Sequence, residues 1–434
     1  MKRFLLVLAI VGVLFSACES GGGYGNENDD NSTENTGGGD DTTLSDELTI
    51  SQLKADNPLI YANGGSATIT VESERAWQAV VVEPAGCNWL TLESNKSRLT
   101  LTTNRNESAS NRSAVVEVQN GATTKQFVVE QRANIIKRTK IGERDIFVQL
   151  AIGYNFNRFS KLVVVLPVPQ TNLYQDIDNL TVSGGKIMTA ANNKTQYVRR
   201  TLTPSEIPTS GGSVLREEFR VTNYGIEVDF DAITSYVDID TASEVYKKYV
   251  GRDGDIIVPE LPQLQPLTEP LWAASKGDVV DYARLCYEYV AANMKYINPN
   301  TGLHSLATIL ANGGGDCGNQ ATLYISMLRN KGIPARHVVM IRPDGTFHVR
   351  AEFYLAGYGW IPVDANAKNM NPNGDYFGKI ETNEIVVNND INIKMLGSND
   401  SVEENIVLLQ DYLWWYWITG SMSCEIYRTT GVFR

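Results

Sequence analysis

The stretch GGGDCGNQATLYISMLRNKGIPAR, residues 313 to 336, constrains this chain more than any other. Three consecutive glycines open backbone conformations closed to other residues. Asp316 can then cap a helix, whose inner stripe runs through Ala321, Tyr324 and Leu328 and stops at Gly332 and Pro334. Cys317 therefore falls in the first helical turn. A helix N-terminus carries partial positive charge and free N–H groups, which favour thiolate over thiol, and the thiolate is the nucleophile. The free N–H groups of that helix start, the Cys317 N–H among them, can also hold an oxyanion. Asp316 works against this, because its charge disfavours a second anion next to it.

A nucleophilic thiolate needs a proton shuttle and a group to orient it. The chain has three histidines, His304, His337 and His348. His348 opens the strand FHVRAEFYL, and the next strand, GWIPVDA, ends at Asp364. Side chains alternate along a strand, so His348, Arg350 and Glu352 share a face. An odd-numbered connection around Gly357 to Gly359 would put even positions of both strands on that face and bring Asp364 diagonally near His348. A two-residue turn would place them on opposite faces. His337 is expected to pack, with a base role in reserve, and His304 to cap or sit on the surface. Trp360 and Pro362 are expected to fix the strand that carries Asp364.

The rest of the chain reads as a delivery system for that segment. Residues 1–17 combine Lys2 and Arg3 with an apolar run from Phe4 to Phe15, too short to span a bilayer, so they read as a secretory leader. Residues 18–45 are rich in Gly, Asn, Asp and Ser, and read as a flexible tether. Residues 46–133 alternate at Ala67, Ile69, Val71, at Leu99, Leu101, and at Ala114, Val116, Val118, which predicts a small β-sandwich with Trp77, Cys87 and Trp89 in its interior. Residues 134–257 predict a second β-sandwich that acts as scaffold. After a proline-rich connector at 258–270, residues 258–434 form the α+β domain, where Asp278 caps a helix with the stripe Val279, Ala283, Cys286, Val290, Met294. The aromatic run near Leu413 to Ile418 predicts a closing strand packed on the core. The fold class is thus multidomain: two β-sandwiches followed by an α+β domain.

A formal net charge of -12 with no Lys/Arg cluster argues against a nucleic-acid partner. Five scattered cysteines without a CxxC pair give no zinc framework, and no dense Asp/Asn loop implies calcium. No cofactor is expected.

Three resemblances add to this reading. FSAC at residues 15–18 resembles a bacterial lipobox, which implies lipid attachment at Cys18, a membrane contact through that lipid alone, and an exported protein on the outer membrane or cell surface. The segment from Ala76 to Gln131, with Trp77, Trp89-Leu90, Arg112 to Ala114 and Val129 to Gln131, resembles a BACON domain. That implies an immunoglobulin-like sandwich and a glycan contact. GDCxxxA, GIPAR, HxxxEFYL and GWIPVDA, in that order over about residues 270 to 390, resemble the transglutaminase-like, papain-related superfamily. The resemblance implies a triad of Cys317 as nucleophile, His348 as acid and base, and Asp364 as orienting carboxylate, with Asp316, Gly318, Glu352 and Trp360 as oxyanion and supporting residues. The implied activity is a cysteine peptidase or amidase acting on a peptide, protein or glycopeptide, with transamidation as the other outcome. Arg350 departs from the Trp usual at its position. It supports a rival reading: a catalytically weak scaffold that binds glycan or protein.

Overall fold

The computed structural model describes residues 44–54, 56–108, 110–153, 157–207, 212–233, 235–297, 302–406, 414–422 and 426–432. The leader, Cys18, the tether up to residue 43 and Cys424 lie outside these residues. Among the described residues no helix is long and apolar enough to cross a membrane.

The alternation at 46–133 resolves into two antiparallel sheets. One orders the strands Leu48–Ile50, Gly65–Ser73, Arg98–Thr103 and Leu90–Asn95; the other orders Gln78–Glu83, Arg112–Gln119 and Thr124–Gln131. Ile69, Val71, Leu99, Leu101, Ala114, Val116 and Val118 form the core between them. Trp89 is buried there with the Arg112 guanidinium 4.5 Å from its ring centre. Trp77 and Cys87 are less enclosed than the pattern predicts: both are half-buried at the margin, and Trp77 Nε1 donates to the Lys96 carbonyl at 2.7 Å.

The second region is built on strands far longer than their apolar cores. Ile136–Ile152 and Gly212–Val228 pair along their whole length, with a register shift near each end that absorbs the twist. The facing sheet is centred on Asn157–Val168, whose run Leu162 to Leu166 is buried at every position. Such a run belongs to a strand covered on both faces. Leu162, Val164 and Leu166 join the main core, whereas Val165 packs outward with Tyr197, Ile393, Met395 and Ile406.

The outer cover comes from the C-terminus, and this corrects the expected domain limits. Trp415–Met422 pairs with Asn157–Val168, and Ile426–Val432 pairs with Ile136–Ile152. The aromatic run is a closing strand, but it closes the second β-region rather than the α+β domain. An unpaired edge on two strands of this length would be exposed, and the returning chain removes it. A second correction concerns the proline-rich connector, which already contains the start of the helix Gln265–Ser275, with proline in its first turn.

The α+β region packs the helices Val279–Asn293, Leu306–Asn312 and Cys317–Asn330 on an antiparallel sheet ordered Gly359–Val363, Phe347–Leu355, Ala335–Ile341, Ile385–Asn388. Asp278 caps the first helix, its side chain accepting from Asp281 N–H at 2.9 Å. The helix Cys317–Asn330 is buried on all sides as far as Arg329, so it is the axis around which the region is assembled. The first sandwich touches this region through a hydroxyl contact between Tyr61 and Tyr354, and touches the chain leading into it through Lys54–Asp240 at 2.8 Å and Arg132 to Ser235 at 2.9 Å.

One core residue departs from the apolar pattern. Glu217 lies opposite Val148 and Val182, is 1% exposed, and neither carboxyl oxygen has a hydrogen-bond partner. Burial pushes its carboxyl well above the ordinary value of 4.5. The folded state therefore holds this proton more tightly than the unfolded chain, and stability is lost as pH rises from about 4.5. Glu217→Met is expected to stabilise the protein by about 1–3 kcal/mol at pH 8 in denaturant unfolding. The gain should shrink towards pH 4.

Candidate functional site

Each glycine of the triplet has a separate task. Gly313 takes φ 60° and ends the helix Leu306–Asn312. Gly314 and Gly315 run parallel to Lys295–Tyr296; a Cβ on Gly314 would lie 2.3 Å from the Lys295 carbonyl oxygen, and one on Gly315 would lie 2.4 Å from Asn319 Cβ. The triplet thus threads the chain through a gap that excludes side chains and delivers it to the helix start.

Asp316 caps that helix: Oδ1 accepts from Asn319 N–H at 3.0 Å and from Asn319 Nδ2 at 2.8 Å. Asn319 also ties down the preceding loop, accepting from His304 N–H at 3.0 Å and donating to the Gly302 carbonyl at 3.0 Å. Sequence reasoning missed Asn319, although its position three residues after the cap was the available signal. Burial pushes the Asp316 carboxyl up, against hydrogen bonds from Asn319 and Gly302 and the charge of His304. That softens the conflict with an adjacent thiolate. His304 is half-buried beside Asp316 and does not cap the next helix; Ser305 does.

The hairpin that carries His348 and Asp364 has the odd connection. Leu355 pairs with Gly359, three residues intervene, and Glu352 pairs with Pro362 and Tyr354 with Trp360. Even positions oppose even positions, so Asp364 falls one step diagonally from His348. His348 Nε2 and Asp364 Oδ2 are 2.6 Å apart. The imidazole also shares a hydrogen bond with the Cys317 thiol; with Nε2 on the carboxylate, Nδ1 is the ring nitrogen left for sulfur. Asp364 Oδ1 accepts from Ala367 N–H at 2.8 Å, capping the short helix Ala365–Met370, so both carboxylate oxygens are engaged. Cys317, His348 and Asp364 are 7%, 2% and 6% exposed.

Electrostatics at this cluster favour the ion pair. Burial works against the imidazolium, but the Asp364 carboxylate and the Cys317 sulfur outweigh it and push His348 up to about 10. Burial likewise works against the Asp364 carboxylate, and His348, Ala367 N–H and Arg350 together hold it below its ordinary value. His337 is different in kind. Burial and the nearby Arg329 push it down to about 3. It is held by Thr322 at 3.0 Å and by the Gly318 backbone, so it stays neutral and locks helix to sheet.

Arg350 is a buried structural cation. Its guanidinium donates to Glu384 Oε2 at 3.0 Å and lies 4.2 Å from the Tyr174 ring centre. Glu384 also accepts from Arg342 at 3.1 Å. Glu352 takes the Tyr174 hydroxyl on one oxygen and Arg336 Nε, at 2.8 Å, on the other. Arg336 in turn lies 3.9 Å from the Trp360 ring centre, with Tyr249 and Tyr354 at the ring edges. Glu352 and Trp360 are thus linked to each other through Arg336. Tyr174 and Glu384 were invisible in the sequence, because both are brought in from segments distant in the chain. Among the described residues no group of three or more His, Cys, Asp and Glu side chains could hold a metal ion. Cys87, Cys286 and Cys317 are free thiols.

A thiol, an imidazole and a carboxylate in series are the donor set of nucleophilic acyl transfer. Residues 266–365, which carry all three, match the family model of the transglutaminase-like superfamily, and this segment is a transglutaminase-like core. An uncharacterized protein of Haemophilus influenzae is 31% identical over 19% of this chain; the match spans 30% of that relative's length. Among solved structures, a candidate cysteine protease of Cytophaga hutchinsonii superposes with a TM-score of 0.46 at 15% identity, covering 69% of this chain and 93% of that one. A candidate protease of Parabacteroides distasonis superposes with a TM-score of 0.23 at 10% identity, covering 69% and 59% of the two chains.

The Arg350–Glu384 pair gives a direct test of the site's foundation. Glu384→Gln leaves a fully buried guanidinium without its counter-charge and is expected to cost about 3–5 kcal/mol in denaturant unfolding. Arg350→Met combined with Glu384→Met should cost less than Glu384→Gln alone.

Proposed function

We propose that this chain is an exported, lipid-anchored thiol enzyme that cleaves peptide or carboxamide bonds through a thioester on Cys317, with transfer to an amine as the alternative second step. One observation carries the reading: the buried series of Cys317, His348 and Asp364, with the His348 Nε2 to Asp364 Oδ2 distance at 2.6 Å and the thiol bonded to the same imidazole. Its setting at the start of a buried helix in a transglutaminase-like core supports it further.

In this mechanism Cys317 Sγ attacks the carbonyl carbon, and the oxyanion faces the backbone N–H groups of Cys317 and Gly318. His348 gives its proton to the departing amine as the C–N bond breaks, leaving a thioester. Water then attacks the thioester, His348 takes a proton from it, and the sulfur leaves as thiolate. Asp364 holds the imidazole in the tautomer that this requires. Hydrolysis is favoured over cross-linking as the outcome. Lipid attachment at Cys18 would hold the enzyme at the outer membrane or cell surface, and the first sandwich, BACON-like in its motif, would supply the glycan contact.

A second reading, a weakly catalytic scaffold that binds glycan or protein, draws on one feature. The cavity beside Cys317 is only about 10 Å³, and Arg350 and Tyr324 line it. Chemistry on a peptide therefore requires approach from the thiol's outer side.

The two readings separate on the charge beside the sulfur. Alkylation of Cys317 should favour anionic iodoacetate over neutral iodoacetamide while His348 is an imidazolium, and this preference should fade as pH rises towards about 10. Asp364→Asn removes the charge that raises His348, so the fade should move to lower pH. His348→Ala should abolish the preference. A ratio that is flat with pH and unchanged by His348→Ala would sink the catalytic reading.

A further inference from the structure

The outer side of the thiol is bordered by two residues that the chemistry above does not use. Tyr296 lies opposite Gly315 in the short parallel ladder, two residues before Cys317, and is 41% exposed. Burial and the charges of Cys317 and Asp316 push its phenol up while Arg342 pulls it down, so the ring stands within reach of all three charges. Arg342 follows the strand Ala335–Ile341, two residues beyond Met340, which pairs directly with His348. Its N–H donates to the Thr346 carbonyl at 2.8 Å and so continues the ladder. Arg342 therefore shares the face of His348 and is its diagonal neighbour, roughly 7–8 Å away.

The Arg342 guanidinium is held in place without being saturated. Nε donates to Glu384 Oε1 at 3.1 Å, while Glu384 Oε2 takes Arg350 at 3.0 Å and the Thr382 hydroxyl at 2.9 Å. One carboxylate thus serves two guanidiniums and leaves a positive charge over. The Arg342 side chain is 42% exposed, and neither Nη has a partner among the described residues. The nearby carboxylates are engaged elsewhere: Asp316 on Asn319, Asp364 on His348 and Ala367 N–H. Asp344 stands exposed at the hairpin tip, with Oδ1 on the Thr346 N–H and hydroxyl and no ion pair to Arg342.

His348 gives its proton to the departing amine, so a group diagonal to it lies beside the amine half of the substrate. A guanidinium edge at that place matches the two oxygens of a carboxylate. We infer that Arg342 is a specificity residue, its Nη groups binding a carboxylate on the residue that leaves, so that the preferred bond precedes a C-terminal or an acidic residue. This rests on the thiol reading given above.

The test is the rate of Cys317 alkylation in the full chain at low salt, read by peptide mass spectrometry. N-iodoacetylglycine carries an α-carboxylate on the amine side of its amide, and N-iodoacetylglycinamide is its neutral counterpart. N-iodoacetylisoasparagine against N-iodoacetylasparaginamide does the same for a side-chain carboxylate. The anionic reagent should react about tenfold faster in at least one pair, and the pair with the larger ratio identifies the source of the carboxylate. Arg342→Gln should bring that ratio near unity, and Arg342→Lys, which keeps the charge without the fork, should lower it about threefold. Lys295→Gln removes an exposed charge beside Tyr296 and should leave the ratio within about twofold. Iodoacetate is too short to span from the sulfur to Arg342, so its dependence on His348 is a separate measurement. A ratio unmoved by Arg342→Gln, or by Arg342→Lys if the first variant does not fold, overturns the proposal, as does an equal fall with Lys295→Gln. Neutral labelling that ignores both pH and His348→Ala overturns the thiol reading instead, and this inference with it.

Discussion

The 2.6 Å contact between His348 and Asp364 is the interaction on which the arrangement depends. Two ionisable groups are removed from water there, and a buried pair is stable only when the remaining lone pairs and protons are also satisfied. Every remaining site is met: Asp364 Oδ1 by Ala367 N–H, the second imidazole nitrogen by the Cys317 thiol, and the carboxylate's charge by Arg350. Those partners come from different elements: one from a helix that Asp364 itself caps, one from the central helix, one from the strand beside it. The contact can therefore form only when hairpin, helices and sheet are all in place. The three-residue connection between Leu355 and Gly359 is the covalent condition for it. A connection one residue shorter would turn Asp364 to the other face.

Behind the hairpin lies a polar layer where an apolar one would have been simpler. Tyr174, Glu352, Arg336, Arg350 and Glu384 join the sheet to the second β-region through directed hydrogen bonds. An apolar interface tolerates sliding, whereas a fork on a carboxylate fixes position and angle. The strand bearing His348 is held from behind at Arg350 and Glu352 and, near its end, at Tyr354 by Tyr61 of the first sandwich. Arg350, which departs from the usual Trp, thus belongs to the layer that sets the strand's place. Its charge also reaches Asp364 and adds to the forces that keep that group ionised.

What the sequence made legible follows from range. Local rules settle local features: Asp316 before an apolar stripe, Asp278 before another, and the alternating pairs of the first sandwich all emerge where the periods place them. The meeting of Cys317, His348 and Asp364 was legible because they lie on elements consecutive in the chain, so spacing and strand parity could relate them. Tyr174 and Glu384 were not, since nothing local distinguishes a tyrosine on a loop or a glutamate before a strand from a surface residue. The C-terminal boundary failed for the same reason. The aromatic run was read as a strand, but the choice between two sheets rests on which one has an open edge, and that is a property of the folded β-region.

That misplaced boundary carries a structural consequence. Because Trp415–Met422 and Ile426–Val432 return to strands more than two hundred residues earlier, the second β-region cannot complete its sheets until the transglutaminase-like core between them has been made. Closing so long a loop is entropically costly and is repaid only by contacts formed late. The core meanwhile needs that region's Tyr174 to satisfy Glu352 and to cover Arg350. Each part therefore supplies what the other lacks: the β-region gives the sheet its backing, and the chain beyond the sheet gives the β-region its edges. The buried cluster at Cys317 is accordingly a product of the chain from Ser45 onward, and the matched segment 266–365 contains its reactive groups without Tyr174, Ala367 and Glu384, which complete their support.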